Sequence, residues 1–236
     1  MKSKQYNYDT IKYGFYDEIF RKKKGIRSAW HHIKFNFIKK KINKYNSHLD
    51  IGCGSGTFIS LLDNKFVAGI DISDKQIKYA KKIYGSKRKK FYSYKKTIPF
   101  KPKTFDSVSL VELIEHLNDN QIDNLMKQIH IVLKKEGKIY ITTPNYFSLW
   151  PILEYFVNRI SSISYEDQHI NKFNLFRLNK IVDNKKFKVK KKCSFMLVSP
   201  FLAIFSFKFS LVFANIENIL TKIFPGFLLY FELEKK

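Results

Sequence analysis

The sequence predicts an α/β fold built on a doubly wound, mostly parallel sheet, and three observations predict it. Short apolar segments alternate with amphipathic, helix-like ones from about residue 47 to residue 143, the order that lays parallel strands together with helices on both faces. The first apolar segment, Leu49-Asp50-Ile51, runs straight into the glycine-spaced turn Gly52-Cys53-Gly54-Ser55-Gly56. The second ends in Asp71, about 20 residues past Gly52, the interval at which a strand-end carboxylate meets a ribose in a βαβ nucleotide site.

Taken in order, residues 1–44 read as an N-terminal helical cap and 45–236 as the main domain. The cap carries Tyr6, Tyr8, Tyr13, Phe15 and Tyr16, aromatics that are candidates to roof a substrate site. Its helix-like run from Ser28 to Lys44 places Trp30, Ile33, Phe37, Ile38 and Ile42 on a sheet-facing side. Phe58–Leu62 reads as the first crossover helix and Phe66–Asp71 as the second strand. Ser73 or Asp74 caps a helix over Lys75–Ile83, and Phe91–Tyr94 is a short strand. Phe105–Val111 is a buried strand running into Glu112. Asn118-Asp119-Asn120 caps a helix with Leu125, Met126, Ile129, Val132 and Leu133 on one face; Gly137 is its expected C′ residue before the strand Lys138–Thr143. An irregular aromatic connection from Tyr146 to Ser164, a helix over Leu175–Asn184, a sixth strand over Lys186–Val198 and a last strand over Phe227–Leu233 complete the chain.

Length and composition bound the reading. A chain of 236 residues suits one α/β domain with a large core. Lys+Arg of 44 against Asp+Glu of 20 gives +24, a charge that draws anionic partners: RNA, phosphorylated metabolites or an acidic membrane surface. The same excess is spread along the whole chain beside many Asn, Ile, Phe and Tyr, which is also the mark of a composition bias. Two cysteines, one inside the glycine turn, argue against a disulfide framework. Met1–Tyr6 has no apolar stretch behind its charges, so the cytoplasm is the default expectation, with peripheral attachment at the inner face of a membrane as its variant.

The glycine turn fails the Gly-x-Gly-x-x-Gly dinucleotide pattern because position 57 is Thr, and no Gly-Lys-Ser/Thr follows. It instead resembles motif I of the class I S-adenosylmethionine (SAM)-dependent methyltransferases. Ile98-Pro99-Phe100 with Phe105-Asp106, and Thr143-Pro144-Asn145 after the fifth strand, are similar to that family's later motifs. The resemblance implies a seven-stranded Rossmann-like sheet whose last strand is antiparallel, with SAM as cofactor. Gly52, Gly54 and Gly56 would let backbone approach the methionine end, Asp50 would support the loop or meet the amino group indirectly, and Asp71 would bind the ribose; Ile72 and Glu112 complete the expected cofactor set. The acidic residue that many members place five positions before the proline falls at Tyr94, so adenine needs another hold.

Glu112, Glu115 and His116 have i, i+3, i+4 spacing, one face of a helix beside the fourth strand's end. Two carboxylates and an imidazole there can bind a divalent ion. The spacing is similar to the metal site of ubiquinone-biosynthesis O-methyltransferases, a group this chain resembles, and of small-RNA 3′-end 2′-O-methyltransferases, in which a downstream histidine joins; His169 is the candidate. In metal-free members the histidine packs, caps or acts as a base, so a metal is not the default and His116 and Glu115 stand as catalytic candidates. The expected activity is O-methylation of a small, lipophilic or glycan-type acceptor. Its rivals are an RNA 3′-end 2′-O-methyltransferase, with nucleic acid the weaker partner, and a non-catalytic SAM-binding protein of the same fold. The apolar segment at about 200–224 is expected as a helical insertion that covers a greasy pocket, lies on an anionic membrane or packs internally, rather than as a membrane span, because Pro200 and Lys208 interrupt it.

Overall fold

The structure is a computed structural model that describes residues 12–160, 168–182, 186–217 and 219–236. Tyr6, Tyr8, Asn184 and the end of the aromatic connection, residues 161–164, lie outside those residues. Seven strands form one sheet in the order β3-β2-β1-β4-β5-β7-β6. They are β1 (Ser47–Ile51), β2 (Phe66–Asp71), β3 (Lys89–Ser93), β4 (Phe105–Val111), β5 (Leu133–Pro144), β6 (Phe187–Phe195) and β7 (Leu228–Lys235). The first five pair in parallel and β7 runs antiparallel to both neighbours, as expected of this fold.

Side-chain alternation along each strand separates two cores. On one face Leu49, Ile51, Val108, Leu110, Ile139 and Ile141 meet Ile122, Leu125, Met126 and Ile129 of α5 (Asp119–Val132) and Leu178 and Val182 of α7 (Leu175–Val182). On the other, Val67, Tyr140 and Tyr230 meet Ile33, Ile38 and Ile42 of α2 (Gly25–Ile42) and Ile77 and Ala80 of α4 (Asp74–Tyr84). The cap helix α2 is thus part of the main core. It is preceded by α1 (Phe15–Arg21). Capping follows sequence: Ser73 caps α4, and Asn118 with Gln121 forms a capping box on α5.

Five expectations change, the first being the aromatic connection after β5, which is not irregular but holds the helix α6 (Trp150–Ile160). The crossover helix after the glycine turn, α3, is one turn long (Thr57–Ser60) and does not reach Leu62. Gly137 is not a helix C′ residue: α5 stops at Val132 and the chain enters β5 at once, with a bulge where the β4 register jumps from Phe105↔Leu133 to Ser107↔Lys138 and Glu136 takes a φ of 59°. β6 ends at Phe195, because Met196 turns the chain away at φ 66° instead of extending it to Val198. The segment at 200–224 is not one helix but a 3₁₀ turn (Phe201–Ile204), α8 (Phe207–Ile216) and a second 3₁₀ turn (Leu220–Lys222). Among the described residues no helix is long and apolar enough to cross a membrane.

Candidate active site

A cavity of about 850 Å³ opens at the C-terminal ends of β1, β2 and β4. Asp50, Gly52, Gly54, Asp71, Ile72, Glu112, Glu115, His116 and His169 all line it. Its size and position are those of a ligand site in an open α/β sheet.

The glycine turn makes one wall. Gly52, Gly54 and Gly56 take φ of 76°, 50° and 77°, the left-handed region that a Cβ penalises. The added Cβ separates their duties. At Gly54 it would meet nothing within 4 Å, so backbone there lies open to a ligand. At Gly56 it would lie 2.7 Å from Phe91 and 3.0 Å from Ala80. Gly56, expected at the cofactor, therefore faces the core and does not line the cavity. Asp71 holds the turn: its carboxylate accepts the Gly54 N–H at 2.8 Å and the Ser73 N–H at 2.9 Å.

Asp50 ends a buried polar chain between β1 and β4. In the parallel register His48 pairs with Ser107 and Asp50 with Ser109. Ser109 Oγ donates to Asp50 at 2.5 Å, and His48 bridges Ser109 (Nε2, 2.9 Å) and Ser107 (Nδ1, 2.8 Å). Burial lowers the His48 imidazole to about 3 and leaves it neutral. Burial raises the Asp50 carboxyl to about 7, against the lowering effect of the Ser109 bond.

The N-terminal cap packs on the cavity through buried charges. The Lys34 ammonium, on α2, is buried and ion-paired with Glu112, and Trp30 Nε1 donates to the same carboxylate at 3.4 Å. Glu112 itself sits at φ 50°, ahead of the 3₁₀ turn Ile114–His116. The expected helical face of Glu112, Glu115 and His116 therefore does not exist, and Glu112 belongs to the cap contact instead. Asp17 of α1 is fully buried and accepts from Thr57 (2.9 Å), Tyr79 (2.9 Å), Tyr84 and Arg21 (2.8 Å), which ties the cap to α3 and α4.

The opposite wall gathers Glu115, His116 and His169, one ligand atom of each lying within 4.8 Å of the others. Glu115 is buried and accepts from Thr143 at 3.0 Å; burial raises its carboxyl to about 7. Burial lowers the His116 imidazole to about 4, against the raising effect of the Gln168 carbonyl 2.9 Å from Nδ1. A carbonyl only accepts, so Nδ1 carries the proton and Nε2 the lone pair. His169 is set the same way: its Nδ1 lies 2.5 Å from Glu154, which also accepts from the Tyr146 hydroxyl at 2.9 Å. Burial alone would raise the Glu154 carboxyl, but the His169 and Tyr146 bonds hold it below the usual range. Among the described residues, His31 Nδ1 and Trp150 Nε1 are buried without a hydrogen-bond partner, and both residues line the cavity. An unpaired buried polar atom is costly, and water or a bound molecule can satisfy it.

Residues 23–192 match a family described as a methyltransferase domain, which is most of the chain. The chain belongs to this methyltransferase-domain family. An uncharacterized protein of Methanocaldococcus jannaschii is 26% identical over 177 residues, 74% of this chain. That match spans 64% of the relative's own length, under two thirds. Among solved structures, a Pyrococcus horikoshii OT3 protein shares the fold at TM-score 0.59 and 18% identity, covering 85% of this chain and 87% of its own. A SAM-dependent methyltransferase of Methanosarcina mazei does so at TM-score 0.55 and 15% identity, covering 85% and 96%.

Asp17, Lys34, Glu154 and Trp150 were not singled out as site residues from sequence. Lys34 and Asp17 look like ordinary solvated charges beside their neighbours, and only the cap's packing on the sheet buries them. Glu154 carried a faint signal, a lone carboxylate in an aromatic stretch.

Proposed function

We propose that this chain is a methyltransferase that moves the SAM methyl group to a hydroxyl of a small, lipophilic acceptor. One observation carries this reading: the glycine turn with Asp71 and the Glu115–His116–His169 group line one and the same cavity. The sulfonium of SAM supplies an activated methyl carbon and a neutral leaving thioether. The protein's part is alignment, exclusion of water and removal of one proton. Gly54 and Asp71 hold the donor, and the Lys34–Glu112 pair keeps α2 closed over it. Leu153, Val157 and Trp150 make the acceptor side apolar, which fits a lipophilic molecule.

His169, whose Nδ1 meets the Glu154 carboxylate, suits the base role better than His116, whose Nδ1 meets a backbone carbonyl. Glu154 takes the Nδ1–H of His169 and fixes its tautomer, so Nε2 accepts the acceptor's hydroxyl proton. The oxygen pair then bonds to the methyl carbon while the carbon–sulfur pair leaves with sulfur.

A second reading has its own observation. Both histidines commit Nδ1 to an oxygen, the outer-shell pattern of metal-binding imidazoles, and Glu115 lies beside them. Those three residues, without Glu112, would hold a divalent ion that orients the acceptor oxygen.

Transfer of label from radioactive SAM into lipid and metabolite extracts tests the reading, with RNA as a parallel arm. Label in an extractable small molecule is expected, and labelled RNA alone would overturn the acceptor class. His169→Asn and Glu154→Gln should lower kcat about 10²–10⁴-fold with unchanged SAM affinity. Unchanged kcat in both would remove His169 as base. Exhaustive chelation separates the two readings, because only the metal reading loses activity.

A further inference from the structure

The connection from β6 to β7 presents side chains that its own fold leaves uncovered. Phe209, Val212 and Ile216 stand 54%, 60% and 58% exposed on α8, with Phe205 before them and Ile219 and Ile223 after them at 88%, 65% and 75%. Phe209, Val212 and Ile216 are three and four residues apart, one side of α8, and Ile219 and Ile223 follow beyond its end. Single exposed apolar residues are ordinary on a soluble surface, but an unbroken series marks an interaction site.

The charges around the series select the partner. Between residues 196 and 227 the sequence holds one carboxylate, Glu217, and it is turned inward. Glu217 accepts the Val198 and Ser199 N–H groups at 2.9 Å each and the Ser199 hydroxyl. Lys208 and Lys222 stay exposed beside the apolar series. A surface that is greasy, basic and stripped of outward carboxylates complements an apolar partner with anionic head groups.

We propose that this face docks on an anionic lipid bilayer, with α8 lying in the plane of the interface. The 3₁₀ turn Phe201–Ile204 and α8 both pack on α2, and the Phe207 and His32 rings lie 5.1 Å apart edge to face. Through Trp30, His31 and Lys34, α2 also lines the cavity. Docking therefore brings the bilayer to the helix that covers the site, where a membrane-dissolved acceptor is delivered. That last link rests on the proposed methyl transfer, whereas the docking does not.

Co-sedimentation of the full chain with vesicles of phosphatidylcholine plus phosphatidylglycerol, and of phosphatidylcholine alone, tests the proposal. Binding to the anionic vesicles is expected, with weak binding to the neutral ones. The Phe209→Ser/Ile216→Ser double variant should lose binding by at least roughly tenfold, since two apolar side chains no longer enter the interface. Lys208→Glu/Lys222→Glu should also bind more weakly. If the apolar variant sediments like the wild type, attraction by overall charge explains the binding and the proposal falls. It falls equally if light scattering shows a dimer that the apolar variant splits while vesicles go unbound, because a second copy then covers the face. SAM titration of the same proteins keeps the two readings apart: vesicle binding without SAM binding would remove the methyltransferase reading and leave the docking surface.

Discussion

Asp50 shows how a single residue couples the fold to the ligand. Its raised folded-state pKa means that its stabilising contribution is complete below the ordinary carboxylate value and is lost as pH rises through about 7. Asp50→Asn should accordingly flatten the part of the stability profile between about pH 4 and 7, read by urea unfolding at a series of pH values. A cationic ligand beside the carboxyl lowers its pKa, so SAM binding near pH 7 should release protons. Calorimetry in buffers of different ionisation enthalpy measures that release, and Asp50→Asn should reduce it. The Gly56 site makes the opposite kind of prediction. Gly56→Ala places a Cβ against Phe91 at a left-handed φ, and a loss of about 1–3 kcal/mol is expected together with weaker SAM binding. Wild-type stability in that variant would contradict the packing role given to Gly56.

At the scale of elements, the cap helices decide whether the cavity is a site or an open cleft. α1 is short and isolated by sequence, yet Asp17 draws donors from α3, α4 and its own last turn into one buried carboxylate. Asp17→Ala removes the shared acceptor and leaves buried hydroxyls unpaired, so unfolding free energy should drop by about 2–4 kcal/mol. Because Phe15 and Tyr16 of α1 line the cavity, SAM affinity should fall with it. A destabilised variant with wild-type SAM affinity would show that α1 is a brace and not a wall. The 3₁₀ turn at Ile114–His116 has a similar standing: it aims Glu115 and His116 at His169 because Glu112 leaves the helical path at positive φ to meet Lys34.

For the whole molecule, a net charge of +24 is a standing repulsion. Nine Lys/Arg–carboxylate pairs are found among the described residues, too few to neutralise 44 cations when most of the pairs have an exposed partner. Going from about 0.01 to 0.15 M salt shortens the screening length from about 30 to 8 Å. The thermal midpoint should then rise by about 2–4 °C, near 1 kcal/mol for a domain this size. A midpoint that stays level or falls in scanning calorimetry would mean that local pairing outweighs the repulsion.

What the sequence determined by itself is local chemistry with a rigid spacing. The glycine turn, Asp71 after one strand–helix–strand unit, the alternation of apolar strands and the capping signals at Ser73 and Asn118 each depend on residues within about one supersecondary unit, and a βαβ repeat turns such units into one sheet order. Tertiary structure decided what depends on meeting at a distance. Gly56 serves the core rather than the ligand because of Phe91, a residue of β3. Glu112 left the candidate metal set because a lysine 78 positions earlier reaches it. His169 joined Glu115 and His116, and found Glu154, only through the path of the chain after β5. A charge in a sequence is solvated until packing removes the water, and which charges lose it is settled by the contacts of the folded molecule.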